Sequence, residues 1–485
     1  MPLMTGDQYR DSIRKIHRNS RVYIGGEKIS NPLDHPIVIP AQNTAAMTYE
    51  LAQDPEYVDL MTAYSPYTGS KVNRFTHIYQ SIDDMVKKVK MARMLGQKTA
   101  TCFQRCTTLD TANALFIVTY QMDKKLGTEY HKRFLTFLKE MQENDYHLGV
   151  AMTDAKGDRS LRPIEQPDPD AWLHVAEEKS DGIVIRGAKT SQTGSANAHY
   201  TFVAPTAAIR KGEEDYAVAA AVPTDAEGLY HIYGRNPGDD RKYEPNVMDM
   251  GNPKFSSQET LMVFDNVFVP WEKVFLYKEV EFAGRIPFLF GANHRQTYGG
   301  CKAGVSDVLI GAVKLIAEYT GIDKIPHIRD KITDMVTLTE TIYSCGLATA
   351  LEGEKMETGS YFVNQLLGNV CKLNVAELPF KIARLAVDIC GGVLGDAPSG
   401  KDLLSPEIGK FVEKYMKGVA GVPTENRMRL LYLVQSLLFG FNSVGYVVES
   451  LHGAGPPQAQ KSSLYRLVDF EHKKNLAKNI ANIKD

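Results

Sequence analysis

Four soft donors stand out for their spacing. Cys102 and Cys106 are four residues apart, and His294 and Cys301 are seven apart. On an α-helix both separations put the two side chains on one face. Two helices would then each present a pair of donors to one metal centre. Tyr298 and Lys302 continue the second stripe, four and eight residues beyond His294. The adjacent Gly299 and Gly300 remove bulk beside the stripe, leaving backbone open to close approach by a cluster or ligand. By spacing alone, three thiols and an imidazole suit a structural zinc ion as well as an iron–sulfur cluster. We read Phe290–Lys302 as half of an active site built around the latter. The other cysteines, Cys345, Cys371 and Cys390, sit in apolar helical contexts and read as buried small hydrophobes.

Other motifs fall short. Gly395 to Asp402 nearly spells a phosphate loop, but Asp402 stands where a Ser or Thr would hold Mg²⁺, and Pro398 interrupts it. No Gly-x-Gly-x-x-Gly follows a strand, which argues against a Rossmann cofactor site. Cys102-x3-Cys106 lacks the third cysteine of a radical-SAM triplet, Leu109 standing in its place. Glu449-x-x-His452 has di-iron carboxylate spacing without a second copy.

The elements that must position these residues fall into three stretches, predicting an α+β fold. Residues 1–147 read as a helical domain. Thr5 is a candidate helix start, Met47–Thr62 and Ser81–Gly96 are candidate helices with Ser81 as an N-cap, and Asp110–Asn144 carries a long apolar stripe. Residues 148–281 hold short β-type runs separated by Gly, Pro and Asp clusters, and read as a β domain. Residues 282–485 read as a helical bundle through Val305–Tyr319, Ile328–Glu352, Asn364–Cys390 and Thr424–Leu451, with a loop at 397–406. A net charge of −2 gives no field to draw nucleic acid or an anionic membrane. Met1–Arg21 has no apolar signal region, and no apolar run reaches 18 residues, so a cytoplasmic location with unbridged cysteines is expected.

Several motifs carry a resemblance that runs from about Met4 to Ile483. They are Gln97-Lys-Thr-Ala-Thr-Cys102-Phe-Gln104-Arg-Cys106, Ala151-Met152-Thr153-Asp154-Ala-Lys156-Gly157-Asp158-Arg159, Arg186-Gly-Ala-Lys189-Thr-Ser-Gln192-Thr193-Gly-Ser195, the His294–Lys302 stripe, and Glu449-Ser-Leu-His452-Gly-Ala-Gly-Pro-Pro-Gln. The chain resembles the 4-hydroxybutyryl-CoA dehydratases, which are iron–sulfur flavoproteins. It is more distantly similar to flavin monooxygenases of the 4-hydroxyphenylacetate type and to acyl-CoA dehydrogenases. The resemblance implies an acyl-CoA dehydrogenase-like fold with a barrel-like middle domain. It implies a 4Fe–4S cluster on Cys102, Cys106, His294 and Cys301, and FAD held by Met152, Thr153, Asp154, Lys156, Gly157, Asp158, Arg159, Gln192 and Thr193. Asp388, Gly391 and Gly392 resemble a segment that reaches a neighbouring subunit's flavin, implying a homotetramer.

The implied reaction is dehydration of 4-hydroxybutyryl-CoA to crotonyl-CoA, with isomerisation of vinylacetyl-CoA as a side activity. The C2 proton is moderately acidic, but the C3 proton is not, and acid–base catalysis alone gains only about 10²–10⁴-fold. Transient transfer of one electron to a flavin makes C3 acidic without net redox change. The resemblance offers His294 and Glu449 as bases at C2. Tyr298 and Lys302 become donors to the substrate hydroxyl or flavin, and Glu259 and Gln104 further polar residues of the site. An iron corner open to substrate also implies sensitivity to oxygen. The alternative, a flavin-dependent aromatic monooxygenase, accounts for the flavin motifs but leaves the four soft donors unexplained.

Overall fold

The computed structural model describes residues 3–244 and 246–483. Thr5 starts α1 (Gly6–Ile16) with a reciprocal cap, its hydroxyl accepting from the Gln8 amide while the Gln8 side chain accepts from the Thr5 amide. α2 (Ile39–Gln53) begins earlier than expected and stops before Asp54-Pro55, because the residue before a proline is driven out of the helical region. Ser81 caps α3 (Ile82–Thr99) as predicted. The expected long helix from Asp110 is two helices, α4 (Cys106–Leu126) and α5 (Tyr130–Glu143). They part at Gly127, whose φ of 69° favours glycine.

Two sheets form the middle of the chain. The larger contains β1 (Arg21–Ile24), β2 (Glu27–Lys28), β4 (His174–Lys179), β5 (Gly182–Thr193), β8 (Leu229–Tyr233) and β9 (Glu259–Pro270), in the order β2-β1-β8-β9-β5-β4. The smaller contains β3 (Leu148–Ala151), β6 (Tyr200–Val203), β7 (Val218–Pro223) and β10 (Val274–Tyr277), in the order β10-β7-β6-β3. Ala151, Val203, Val218 and Val222 of the smaller sheet share one apolar cluster with Ile183, Ile185, Met262 and Phe264 of the larger. The sheets therefore pack face to face. They remain two sheets with separate strand orders. β1, in a stretch that read as helical, pairs in parallel with β8.

The C-terminal helices are α6 (Arg285–Thr320), α7 (Pro326–Leu351), α8 (Gln365–Cys390) and α9 (Thr424–Leu438). α6 starts twenty residues before the predicted Val305, and every residue from 289 to 306 is buried, as in a helix enclosed on all sides. The predicted helix to Leu451 breaks after Leu438. It resumes as a π-helical turn at Val444–Val448, followed by the one-turn α10 (Glu449–His452). The expected loop at 397–406 contains a short helix, Gly400–Leu404, capped reciprocally by Ser399 and Asp402. No helix among the described residues is long and apolar enough to cross a membrane.

Glycines let α6 touch its neighbours through backbone. A Cβ on Gly300 would fall 2.3 Å from the Val89 carbonyl oxygen of α3, and one on Gly304 2.1 Å from that of Arg93. A Cβ on Gly299 would fall 2.6 Å from Cα of Gly346 on α7. Gly299 and Gly300 thus serve helix packing, which corrects the expectation that they open the backbone to a ligand. Gly311, exposed on the same helix, has nothing within 4 Å of its Cβ position. Gly300→Ala should therefore cost about 1–3 kcal/mol through overpacking. Gly311→Ala should gain roughly 0.5–1 kcal/mol through helix propensity. Denaturant midpoints of the two variants check the pair; equal midpoints would remove the close contact from the account.

Candidate active site

α6 carries the stripe in the predicted order. His294 and Tyr298 sit one turn apart with ring centroids 4.7 Å apart, and Cys301 and Lys302 follow. His294 Nδ1 lies 2.8 Å from Asp110 Oδ2, which also accepts from Thr297 Oγ1 at 3.0 Å. The other Asp110 oxygen accepts from Lys88 Nζ at 2.5 Å, and the same ammonium donates to the Asn293 carbonyl at 2.8 Å. Asp110 and Lys88 are buried on α4 and α3. Burial works against the Asp110 carboxylate, but Lys88 and then His294 outweigh it and hold its pKa below the ordinary value. An ionised Asp110 fixes the proton on His294 Nδ1 and leaves the Nε2 lone pair for a ligand. Sequence reasoning passed over both residues. The available signal was spacing, since Asp110 follows Cys106 by four residues on one helix face.

Cys102 is not on a helix. α4 starts at Cys106, and Cys102 lies in the preceding loop, where Gln104 takes a φ of 69°. A turn, in place of the expected shared helix face, brings the two thiols together. The Cys106 thiol is pushed well up, first by its hydrogen bond with Cys102, then by burial, with Asp110 and Cys301 adding to it. Burial pushes Cys301 up to about 12 against the pull of Lys302, and Cys102 raises it further. Three thiols in one another's field, beside an imidazole with a free Nε2, form a donor set that fits an iron–sulfur cluster. Among the described residues, no three His, Cys, Asp or Glu side chains close on a single-ion site. Gln104 is committed elsewhere, donating to the Ala41 carbonyl at 2.9 Å and accepting from Asn197 at 3.2 Å.

Lys302 links the stripe to the end of the chain. Its ammonium donates to Glu449 Oε2 at 2.7 Å and to the Gly445 carbonyl in the π-turn at 2.6 Å. Burial opposes that charge, yet Glu449, Cys301 and Cys102 together hold the Lys302 pKa above the ordinary value. Gly445 admits the loop, since a Cβ there would lie 2.8 Å from the Cys102 amide nitrogen. Glu449 Oε1 is buried with no hydrogen-bond partner among the described residues. Glu259 faces Thr193 across the β9–β5 pair and accepts from its hydroxyl at 2.5 Å. Burial and then Glu449 push Glu259 up to about 8, against Thr193 and Lys302. Tyr298 is pushed well up by burial, then Glu449, so its hydroxyl keeps its proton.

The flavin candidates are placed more loosely. Buried Asp154 pairs with Lys189 at 2.7 Å and accepts from the Leu173 amide. Gln192 accepts from the Met152 amide at 3.3 Å and donates to the Thr153 carbonyl at 3.4 Å. Both side chains brace the loop after β3. Lys156 and Gly157 turn it through positive φ, and Thr153, Gly157, Asp158 and Arg159 are exposed. Asp388 pairs with Lys331 at 2.6 Å. Gly391 and Gly392 line a cleft of about 530 Å³ with Gly238, Arg241, Gln435 and Phe439.

Comparison with known proteins places this geometry. Family profiles described as 4-hydroxyphenylacetate 3-hydroxylase N terminal and C terminal match residues 5–276 and 283–482. The chain belongs to that family. Within it, the chain is 50% identical over 491 aligned residues to the 4-hydroxybutyryl-CoA dehydratase/vinylacetyl-CoA-Delta-isomerase of Clostridium aminobutyricum, covering 99% of this chain and 100% of that one. A solved structure described as an oxygen tolerant archaeal 4-hydroxybutyryl-CoA dehydratase from N. maritimus superposes with a TM-score of 0.97 at 46% identity, over 100% of this chain and 96% of that one. The oxygenase component of 4-hydroxyphenylacetate 3-monooxygenase, solved with FAD, shares the fold at a TM-score of 0.87 and 21% identity, over 98% of each chain. Glutaryl-coenzyme A dehydrogenase shares it more distantly, at 0.50 and 14%, over 96% and 95%. The acyl-CoA dehydrogenase-like α+β class expected from the sequence is borne out.

The raised Glu259 sets a stability prediction. An ordinary glutamate near 4.5 sheds its proton in the unfolded chain, whereas folded Glu259 keeps it to about 8. The folded state therefore binds the extra proton between these values, and stability falls as pH rises through that window. Glu259→Gln should flatten the fall, matching wild type at about pH 5 and exceeding it at about pH 9. Denaturant midpoints at the two pH values are the readout; parallel pH profiles would place the ionisation of Glu259 outside the balance.

Proposed function

We propose that this protein dehydrates 4-hydroxybutyryl-CoA to crotonyl-CoA and isomerises vinylacetyl-CoA to the same product, using FAD and a 4Fe–4S cluster. The observation that carries the reading is the convergence, along the stripe, of the Glu449–Lys302 pair with three thiols and the Asp110-bonded His294. The full-length kinship with a dehydratase supports it. Over the dehydration, C2 and C3 each lose a proton, C4 loses its hydroxyl and gains a hydrogen, and water balances the equation.

When bound, the cluster supplies a Lewis-acidic iron for the C4 hydroxyl, and FAD supplies a transient one-electron acceptor. Cys102, Cys106, Cys301 and His294 Nε2 would hold the cluster. The 152–159 loop, Gln192 and Thr193 would hold FAD, with Asp388, Gly391 and Gly392 reaching it from a neighbouring subunit of a homotetramer. Glu449, paired with Lys302 through Oε2, offers its unpartnered Oε1 to the C2 proton. His294 is the competing base for the same proton. Glu259 and Tyr298 retain protons at neutral pH and can donate to the departing hydroxyl. The three-part division at 147 and 281 and a cytoplasmic location complete the proposal.

Anaerobically purified protein should contain iron, acid-labile sulfide and non-covalent FAD, and should convert 4-hydroxybutyryl-CoA to crotonyl-CoA. Cys106→Ala should lose the iron, the sulfide and the dehydration together. Turnover by iron-depleted or flavin-free protein would defeat the reading, as would zinc without sulfide. His294→Cys should keep iron yet lose turnover by on the order of 10³-fold or more. A thiolate in that place holds the iron corner closed and leaves no imidazole near C2. Near-normal dehydration and C2 hydrogen exchange in an iron-replete variant would reduce His294 to a passive ligand. The oxygen-tolerant relative means that decay in air does not come with the fold; activity before and after aeration measures it for this chain.

A further inference from the structure

Two buried cations beside the site form no ion pair among the described residues. Lys372 on α8 is fully buried, and Arg295 on α6 is 7% exposed. The Lys372 ammonium donates to the Ser450 carbonyl and, at 3.4 Å, to those of Glu449 and Leu451. The Arg295 guanidinium donates twice to the Ala454 carbonyl at 3.1 Å and once to Asn369 Oδ1 at 2.9 Å. Asn369 precedes Lys372 by three residues on the same helix, so one face of α8 and one of α6 grip a single stretch of backbone.

That stretch holds itself only in part. α10 is one turn long; its Glu449 and His452 carbonyls accept from the Gly453 and Gly455 amides, whereas those of Ser450 and Leu451 accept from Lys372. Beyond it, Ala454 takes a φ of 53°, a left-handed conformation unfavourable for alanine. An unpaired buried ammonium is itself costly. Burial, then Lys302 and Arg295, push Lys372 down to about 7. The Lys372 ammonium also lies 5.0 Å from the Tyr298 ring, whose hydroxyl abuts Gly453.

We infer that Lys372 and Arg295 are positioning residues of the dehydration site, gripping the backbone of residues 449–455 so that the Glu449 carboxylate is held against Lys302. The inference rests on the dehydratase reading. Neither residue touches the reacting atoms; both act through Glu449.

The test uses the holoenzyme. Lys372→Met removes the donor but fills the space with apolar atoms, and Arg295→Met loosens the same segment at its far end. Each should lower kcat on the order of 10²-fold, the scale of a small misplacement of a catalytic group. KM should stay near wild type, C2 hydrogen exchange should fall in step with kcat, and iron and FAD contents should be unchanged. A purely structural role would not produce that split. The thermal midpoint of Lys372→Met should hold or rise, because an uncompensated buried charge has gone. Wild-type kcat and C2 exchange in both variants would overturn the inference, and so would loss of folding or cofactor in both. Wild-type protein with full cofactors that fails to dehydrate would overturn the assigned reaction first, and the positioning role with it.

Discussion

The structure depends on backbone-to-backbone contact between α6 and its two neighbours. Gly300 and Gly304 lie against α3 and Gly299 against α7, with Cys301 between them. Side chains on both partners would hold the helices apart and let α6 rotate. With them absent, the azimuth of the His294–Tyr298–Cys301–Lys302 stripe is set by the main chain. The same contact brings Lys88, next to Val89, within reach of Asp110 and the Asn293 carbonyl. The imidazole's orientation and the thiol's position thus have one mechanical origin.

Around that frame the interior carries an unusual load of charge. Lys88–Asp110, Lys302–Glu449 and Lys189–Asp154 are nearly or wholly removed from water. Such pairs contribute little net stability, but removing one partner of a buried pair costs about 3–5 kcal/mol. Each pair fixes one element of the candidate site: the His294 imidazole, the Glu449 carboxylate, and the loop after β3. Glu259 is driven towards its neutral form by burial and then by the nearby Glu449, which suits it to give up a proton rather than to take one.

What was legible in the sequence was what one segment carries alone. The spacing of His294, Tyr298, Cys301 and Lys302 could be read because a single helix bears all four. The Thr5 and Ser81 caps could be read because each bonds three residues ahead. Cys102 and Cys106 have the same four-residue spacing as a helical pair, yet they meet through a turn, and spacing alone does not separate the two geometries. Lys88, Asp110 and Lys372 stand among other polar residues, such as Lys87 and Lys90, Thr108 and Thr111, and Asn369 and Asn374, and their partners in the site lie as far as 205 residues away along the chain. Gly299 and Gly300 announced missing bulk but not what would occupy the space. β1 is too short for a pattern and finds its partner only through the fold.

That last pairing bears on how the chain is made. β1 meets β8 through Arg21↔Tyr230, Val22↔His231 and Tyr23↔Ile232, and the Tyr9 hydroxyl donates to the Asn197 carbonyl. The strand leaves the ribosome long before its partner does, an interval of about 10–40 s at ordinary elongation rates. Until then it presents unpaired amides and carbonyls that another nascent chain can match. The N-terminal segment is thus synthesised first yet paired only when the chain has reached residues 229–233, and completing the larger sheet waits on translation rather than on local folding.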